Sequence, residues 1–167
     1  ESIHGHMEDW LQCEWWDWKV YTANVTEQYA QIAVVGPKGR ETLAKLTTDD
    51  LSNDALPFMG WADLTLAGMP VRAYRISFSG ELSYELAVPA SQGRALWDAL
   101  LEAGAEHSVT TYGTEGLHVM RAEKGFIMIG DETDGTVIPQ DLGMGWAISK
   151  KKDDYLGKRA QERSHMA

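Results

Sequence analysis

Two hydrophobic periodicities run along this chain. In "KVYTANVTEQYAQIAVVGP" two strand-like runs follow one another, and the second, Tyr29 to Val35, has the β-branched and aromatic content of a buried strand. Gly36-Pro37 ends it, and Pro37 suits a first helical turn. "KGRETLAKL" then places Leu43, Ala44 and Leu46 on one side of a short helix. After the turn-rich "TTDDLSNDALP", "WADLTLAGMPVRAYRISF" holds two further strand-like runs divided by Gly68 to Pro70. "SQGRALWDALLEAG" reads as a helix with Ser91 as N-cap, Ala95, Leu96, Ala99 and Leu100 at helical spacing, and Gly104 as its stop. Another helix is expected from Thr114 to Lys124, with Gly125 as C-terminal punctuation.

Strand, helix, strands, helix is an α+β order. The expected fold is a ferredoxin-like split βαβ, an antiparallel sheet with helices on one face, plus an irregular C-terminal extension. The boundaries follow: 8–110 as the ferredoxin-like unit, 111–163 as helix and extension, and 1–7 and 164–167 as cloning remnants, "GHM" and "SHMA" being their mark. The Trp-rich stretch 7–20 predicts a short helix leading into a strand, and its rings suit a core or docking patch better than a cofactor stack.

"RISFSGELSYELAVP" (75–89) alternates on both sides of a Gly-containing turn, as a half-buried hairpin does. With Gly80-Glu81 as the turn, Ile76 faces Glu85 and Phe78 faces Ser83. Leu82, Tyr84, Leu86 and Val88 then form the core face, and Ile76, Phe78, Ser83 and Glu85 share the other. Glu is depleted in strands, so Glu85 marks either a solvated edge or a site that wants a carboxylate beside the Phe78 ring. Such a pair suits a flat heterocycle with adjacent N–H donors.

The 167 residues carry a formal charge of −10 and a pI near 4.9, which excludes the basic stripe of a nucleic-acid or anionic-membrane surface. No apolar run approaches a membrane span, and no signal-peptide core is present, so the expected location is cytoplasmic. Cys13 is the single cysteine, which excludes an internal disulfide and a cysteine-based zinc site. His107 and His118 belong to no metal-binding spacing, so no metal is expected. The Gly-rich 130–145 lacks both phosphate-loop patterns and carries aspartates that repel phosphate. Arg121 borders an apolar helix stripe. It either pairs with an acid such as Glu123 or Glu85, or holds a ligand carboxylate through its planar fork.

"SFSGELSYELAVP" resembles the Y-T-G-E-x-G-Y-E-I motif of the folate-dependent aminomethyltransferase family, whose type member is the T protein of the glycine cleavage system. "IAVVGPKGRETLAKL" is similar to that family's "GP" strand-to-helix element. "YGTEGLHVMRAEKGFIMIGDETDGTVIPQDLGMGWAISKKKDDYLGKRA" resembles the alpha-subunit family of heterotetrameric sarcosine oxidases. The resemblance implies tetrahydrofolate as the bound cofactor, with Glu85 on the pterin's amino edge, Phe78 in the place of a pterin-contacting Tyr, and Arg121 in the folate pocket. It implies that sarcosine is oxidised by a flavin on another subunit and that its one-carbon unit reaches tetrahydrofolate, giving glycine, 5,10-methylenetetrahydrofolate and peroxide. It also implies hetero-oligomeric partners. The flavin and NAD sites fall outside the chain, and so does the family's catalytic aspartate, so no catalytic residue is assigned. The chain then reads as a fragment inactive on its own. The alternatives are a fragment of a glycine cleavage T protein or dimethylglycine-oxidising enzyme, and a non-catalytic folate-binding or structural module.

Overall fold

The computed structural model describes residues 2–162, and the chain divides into two compact units, Glu1–Thr111 and Tyr112–Ala167. The expected remnant 164–167 lies outside the described residues.

The first unit is built on an antiparallel sheet of β1 (Tyr29–Val35), β2 (Trp61–Leu66), β3 (Met69–Tyr74) and β4 (Ser83–Pro89), in the spatial order β1-β4-β3-β2. Helix α2 (Gly39–Ala44) connects β1 to β2, and β4 and β3 separate those two strands to opposite edges. Helix α3 (Gly93–Gly104) follows β4. The class is α+β with an antiparallel sheet, as the pattern predicts. The core lies on one face: Leu64 and Leu66, Val71 and Ala73, and Tyr84, Leu86 and Val88 alternate along their strands and pack with Leu43, Leu96 and Leu100 from the helices. Each leucine or valine among them, fully buried, contributes about 1.5–3 kcal/mol of transfer free energy. Gly93 lets α3 approach β1, since a Cβ there would stand 2.6 Å from the Ala30 Cβ.

Several local expectations change. Residues 19–25 form no strand and lead instead into a 3-10 turn at Thr26–Gln28. Ser91 caps no helix: it sits inside the 3-10 turn Ala90–Gln92, and α3 begins without a side-chain cap. Ala44 and Ala95 are exposed, because Thr42 and Gly93 take the positions that face inward. The amino-terminal helix α1 (Ser2–Cys13) includes residues 2–7 and buries nothing. Trp10 of this helix stacks on Trp15, and Trp15 on Trp18, with centroids 5.3 and 4.8 Å apart.

The second unit holds α4 (Thr114–Lys124), closed by Gly125 in the left-handed region at φ 83°, then turns, and the short α5 (Lys158–Gln161). The sequence reads α4 and its glycine stop correctly. Among its described residues Arg121 is the single buried one, so charge pairing replaces a hydrophobic core there.

Candidate functional site

The face of the sheet opposite the helices is open, and Glu85 stands on it. Strand β3 ends at Tyr74, so the expected two-residue hairpin turn is in fact a loop over 75–82. That loop is held from within: Ser77 Oγ accepts the Gly80 N–H at 2.9 Å, Ser79 Oγ accepts the Glu81 N–H at 3.4 Å, and Gly80 takes φ 83°. The true pairing sets Tyr74, not Ile76, opposite Glu85, a slip of two residues. Because strand periodicity is two, the slip preserves every face assignment on β4. Leu86 and Val88 point into the core while Glu85 and Ala87 point out.

Around Glu85 the open face forms a trough of about 780 Å³. Ile76, Tyr74, Gln31 and Ala87 line it with Glu85, whereas Phe78 is half-buried in the loop and does not. Across the sheet at this level run Ala33, Glu85, Tyr74 and Trp61, one residue per strand. Gln31 Nε2 donates to Glu85 Oε2, which orients the carboxylate. Among the described residues no cation lies within ion-pair distance of Glu85, so its charge is met by an amide alone. A carboxylate offers about four acceptor positions on two oxygens, which leaves room for a ligand's paired N–H donors. Arg72 is held at the side of the trough, donating to Asp63 at 2.8 and 3.0 Å and lying 4.6 Å over the Trp61 ring. The guanidinium keeps the Asp63 carboxyl below its ordinary range.

In the second unit Arg121 has different partners from those anticipated. Its Nη2 donates to Asp131 Oδ2 at 2.7 Å, and its Nη1 to Glu132 Oε1 at 2.5 Å and the Phe126 carbonyl at 3.2 Å. Glu123, the acid anticipated on its own helix, is not an ion-pair partner. Nε is buried and has no hydrogen-bond partner among the described residues. The N–H of Met128 and then Arg121 hold the Glu132 carboxyl below its ordinary range. The acids of 130–145 therefore order their own loop: Asp134 accepts from Thr136 and Asp141 from the Ile138 N–H.

Sequence reasoning missed Gln31, Tyr74 and Ala87 beside Glu85, and Asp131 and Glu132 beside Arg121. Ser77 and Ser79 flanking Gly80 were the signal for a longer loop, since serine hydroxyls commonly fold back on nearby amides. No group of three His, Cys, Asp or Glu among the described residues could hold a metal ion. No helix of the described residues is long and apolar enough to cross a membrane.

Comparison with known proteins gives this geometry a context. The chain is 54% identical over 159 residues to the sarcosine oxidase subunit alpha of Corynebacterium sp. (strain P-1), covering 94% of this chain and 16% of that protein. It is 36% identical over 138 residues to the mitochondrial dimethylglycine dehydrogenase of Homo sapiens, covering 82% of this chain and 16% of that protein. It is 33% identical over 137 residues to the aminomethyltransferase of Halothermothrix orenii, covering 82% of this chain and 38% of that protein. The resemblance drawn from the hairpin motif and the 112–159 stretch is thus borne out, and the chain spans 16% of the length of the first of these relatives. The family model of the GCVT N-terminal domain matches residues 1–152, and the chain belongs to that family.

Proposed function

We propose that this chain is the folate-binding portion of a larger subunit resembling sarcosine oxidase alpha. In the parent, a flavin outside this chain oxidises sarcosine, oxygen is reduced to hydrogen peroxide, and tetrahydrofolate takes the one-carbon unit, leaving glycine and 5,10-methylenetetrahydrofolate. The contribution of this chain is binding and orientation. The reading is carried by Glu85: a half-buried carboxylate on an open trough, oriented by Gln31 and with no ion-pair partner among the described residues, in the place of the family motif's last Glu. The 2-amino and N3–H groups of a reduced pterin present two adjacent donors, which one carboxylate accepts in parallel. Phe78 stands in the place of the family's pterin-contacting Tyr in this reading, in the loop next to Ile76, which does line the trough. Arg121 stands in the place of the family motif's Arg in this reading, with its fork held by Asp131, Glu132 and the Phe126 carbonyl. Other subunits of a hetero-oligomeric oxidase are its partners.

A second reading is an inert folate-binding or structural module. The near absence of buried side chains in the second unit favours it for the isolated chain, which then folds without turnover.

Calorimetric titration with tetrahydrofolate under reducing conditions tests the proposal, with Glu85→Ala alongside. Loss of a doubly hydrogen-bonded charge costs about 2–4 kcal/mol, so affinity should fall roughly 30- to 1,000-fold. Tetrahydrofolate binding that Glu85→Ala leaves intact would sink the assignment.

A further inference from the structure

Residues 8–21, "EDWLQCEWWDWKVY", hold four tryptophans and a tyrosine, all of them exposed. Helix α1 buries nothing, and beyond it Trp16 is 77% and Trp18 55% exposed. The rings are nonetheless ordered. The Trp15 N–H bonds to the Trp10 carbonyl at 3.0 Å and the Trp18 N–H to the Trp15 carbonyl at 2.9 Å, which fixes the stack Trp10–Trp15–Trp18. Thr22 Oγ1 donates to Glu8, so the segment after the stack is tied back to α1. Contiguous exposed apolar surface of this kind marks an interaction site. Tryptophan and tyrosine are among the residues that dominate binding energy at interfaces.

Charge defines the occupant. Four carboxylates and one lysine lie within 8–21. Glu8 is engaged with Thr22 and Gln12, but Asp9, Glu14 and Asp17 have no ion-pair partner among the described residues. Nor does a described cation lie over these rings: the cation–aromatic pair of this unit is Arg72 on Trp61. An aromatic face and a carboxylate both attract a cation, and here the two alternate along one segment. An anionic surface or a second copy of the chain would meet these carboxylates with like charge, and an apolar segment would leave them unmatched. The chain spans 16% of the length of its sarcosine oxidase relative. A segment joined covalently to it is present at an effective concentration on the order of millimolar, which fills even a site of about 0.1 mM affinity roughly ten to one.

We infer that this aromatic ladder is the docking site of a lysine- or arginine-bearing segment of the same, longer polypeptide, whose cations lie against the tryptophan rings and pair with Asp9, Glu14 and Asp17. The inference rests on the reading of this chain as a portion of a larger subunit and is independent of what the trough binds.

Tryptophan-specific footprinting by mass spectrometry tests it. Labelling of Trp16 and Trp18 is compared in this chain, in the intact polypeptide that carries it, and in that polypeptide assembled with its other subunits. It should be fast in the first, on the order of tenfold slower in the second, and no slower in the third. In the intact polypeptide, Asp9→Lys, Glu14→Lys and Asp17→Lys together should restore the fast rate at an unchanged thermal transition, because all three positions are exposed. Asp9→Asn, Glu14→Gln and Asp17→Asn together should fall between.

Equal labelling in the chain and in the intact polypeptide overturns the inference, since the ladder is then open. Protection that survives the charge reversal overturns it too, because the occupant is then apolar. Protection that arises only on assembly assigns the ladder to another subunit, and protection already present in the chain alone assigns it to a contact of the chain with itself or a second copy; both overturn the inference. Failure of the folate reading is distinct: tetrahydrofolate binding that Glu85→Ala leaves intact changes none of these labelling rates.

Discussion

Replacing Arg121 by leucine removes the one buried side chain among the described residues of the second unit and the three hydrogen bonds that tie α4 to the loop after it. Breaking a buried ion pair costs about 3–5 kcal/mol, because a charge is left unpaired away from water. An exposed pair is worth about 1 kcal/mol at most. Arg121 is buried, with its side chain 8% exposed, but Asp131 and Glu132 are 48% and 39% exposed and will rehydrate once it is gone. The expected cost is therefore intermediate, about 2–3 kcal/mol, and it is local. Hydrogen exchange by mass spectrometry reads it directly. Amides of 126–133, including the Phe126 N–H bonded to the Arg121 carbonyl and the Asp131 and Glu132 N–H groups bonded to the Met128 carbonyl, should exchange roughly 30- to 150-fold faster. Arg121→Lys should fall between, since an ammonium keeps the charge but cannot bridge two carboxylates with a fixed fork. Unchanged exchange across 126–133 in Arg121→Leu would refute the view that this charge cluster, rather than apolar packing, holds the unit together.

Acid should loosen the same loop. The Glu132 carboxyl is held below its ordinary value near 4.5, first by the Met128 N–H and then by Arg121. Its contribution is complete above that ordinary value and is lost as pH falls through the depressed one. Protection of 126–133, corrected for intrinsic exchange, should therefore decline below about pH 4.5. The decline should persist in part in Arg121→Leu, because the amide donor remains. In the first unit, Gly93→Ala puts a methyl group 2.6 Å from the Ala30 Cβ and should cost about 1–3 kcal/mol in urea unfolding as α3 is forced off β1.

Much of the fold was legible because each element announced itself locally. Tyr29–Val35 and Thr114–Lys124 have the bounds their patterns predict, since a Gly-Pro break and a glycine in the left-handed region end them by backbone stereochemistry alone. Face assignment on β4 survived an error in register because a slip of two residues leaves parity unchanged. The register itself was not legible. It depended on loop 75–82 folding through Ser77 and Ser79 onto its own amides, a choice that competes with extending the hairpin. Residues 19–25 have strand-like composition but pair with no strand among the described residues, and β propensity holds no strand without such pairing.

The candidate site divides along the same line. Glu85 was conspicuous in sequence because a carboxylate in an alternating strand is out of place, and its surrounding motif carried the family. That Tyr74 and not Ile76 lies across from it, that Gln31 orients it, and that Ala87 lines the same trough are consequences of β1, β3 and β4 meeting in one sheet. Arg121 gives the same lesson from the other unit. Its position on an apolar helix stripe was visible, but both of its acids come from the following loop, and the chain reversal after Gly125 brings them within reach. Sequence by itself determined most of the elements, the buried face of β4 and the family. Tertiary structure alone decided which side chains stand next to one another, because pairing register and loop path join residues far apart in the chain, and no local preference encodes that distance.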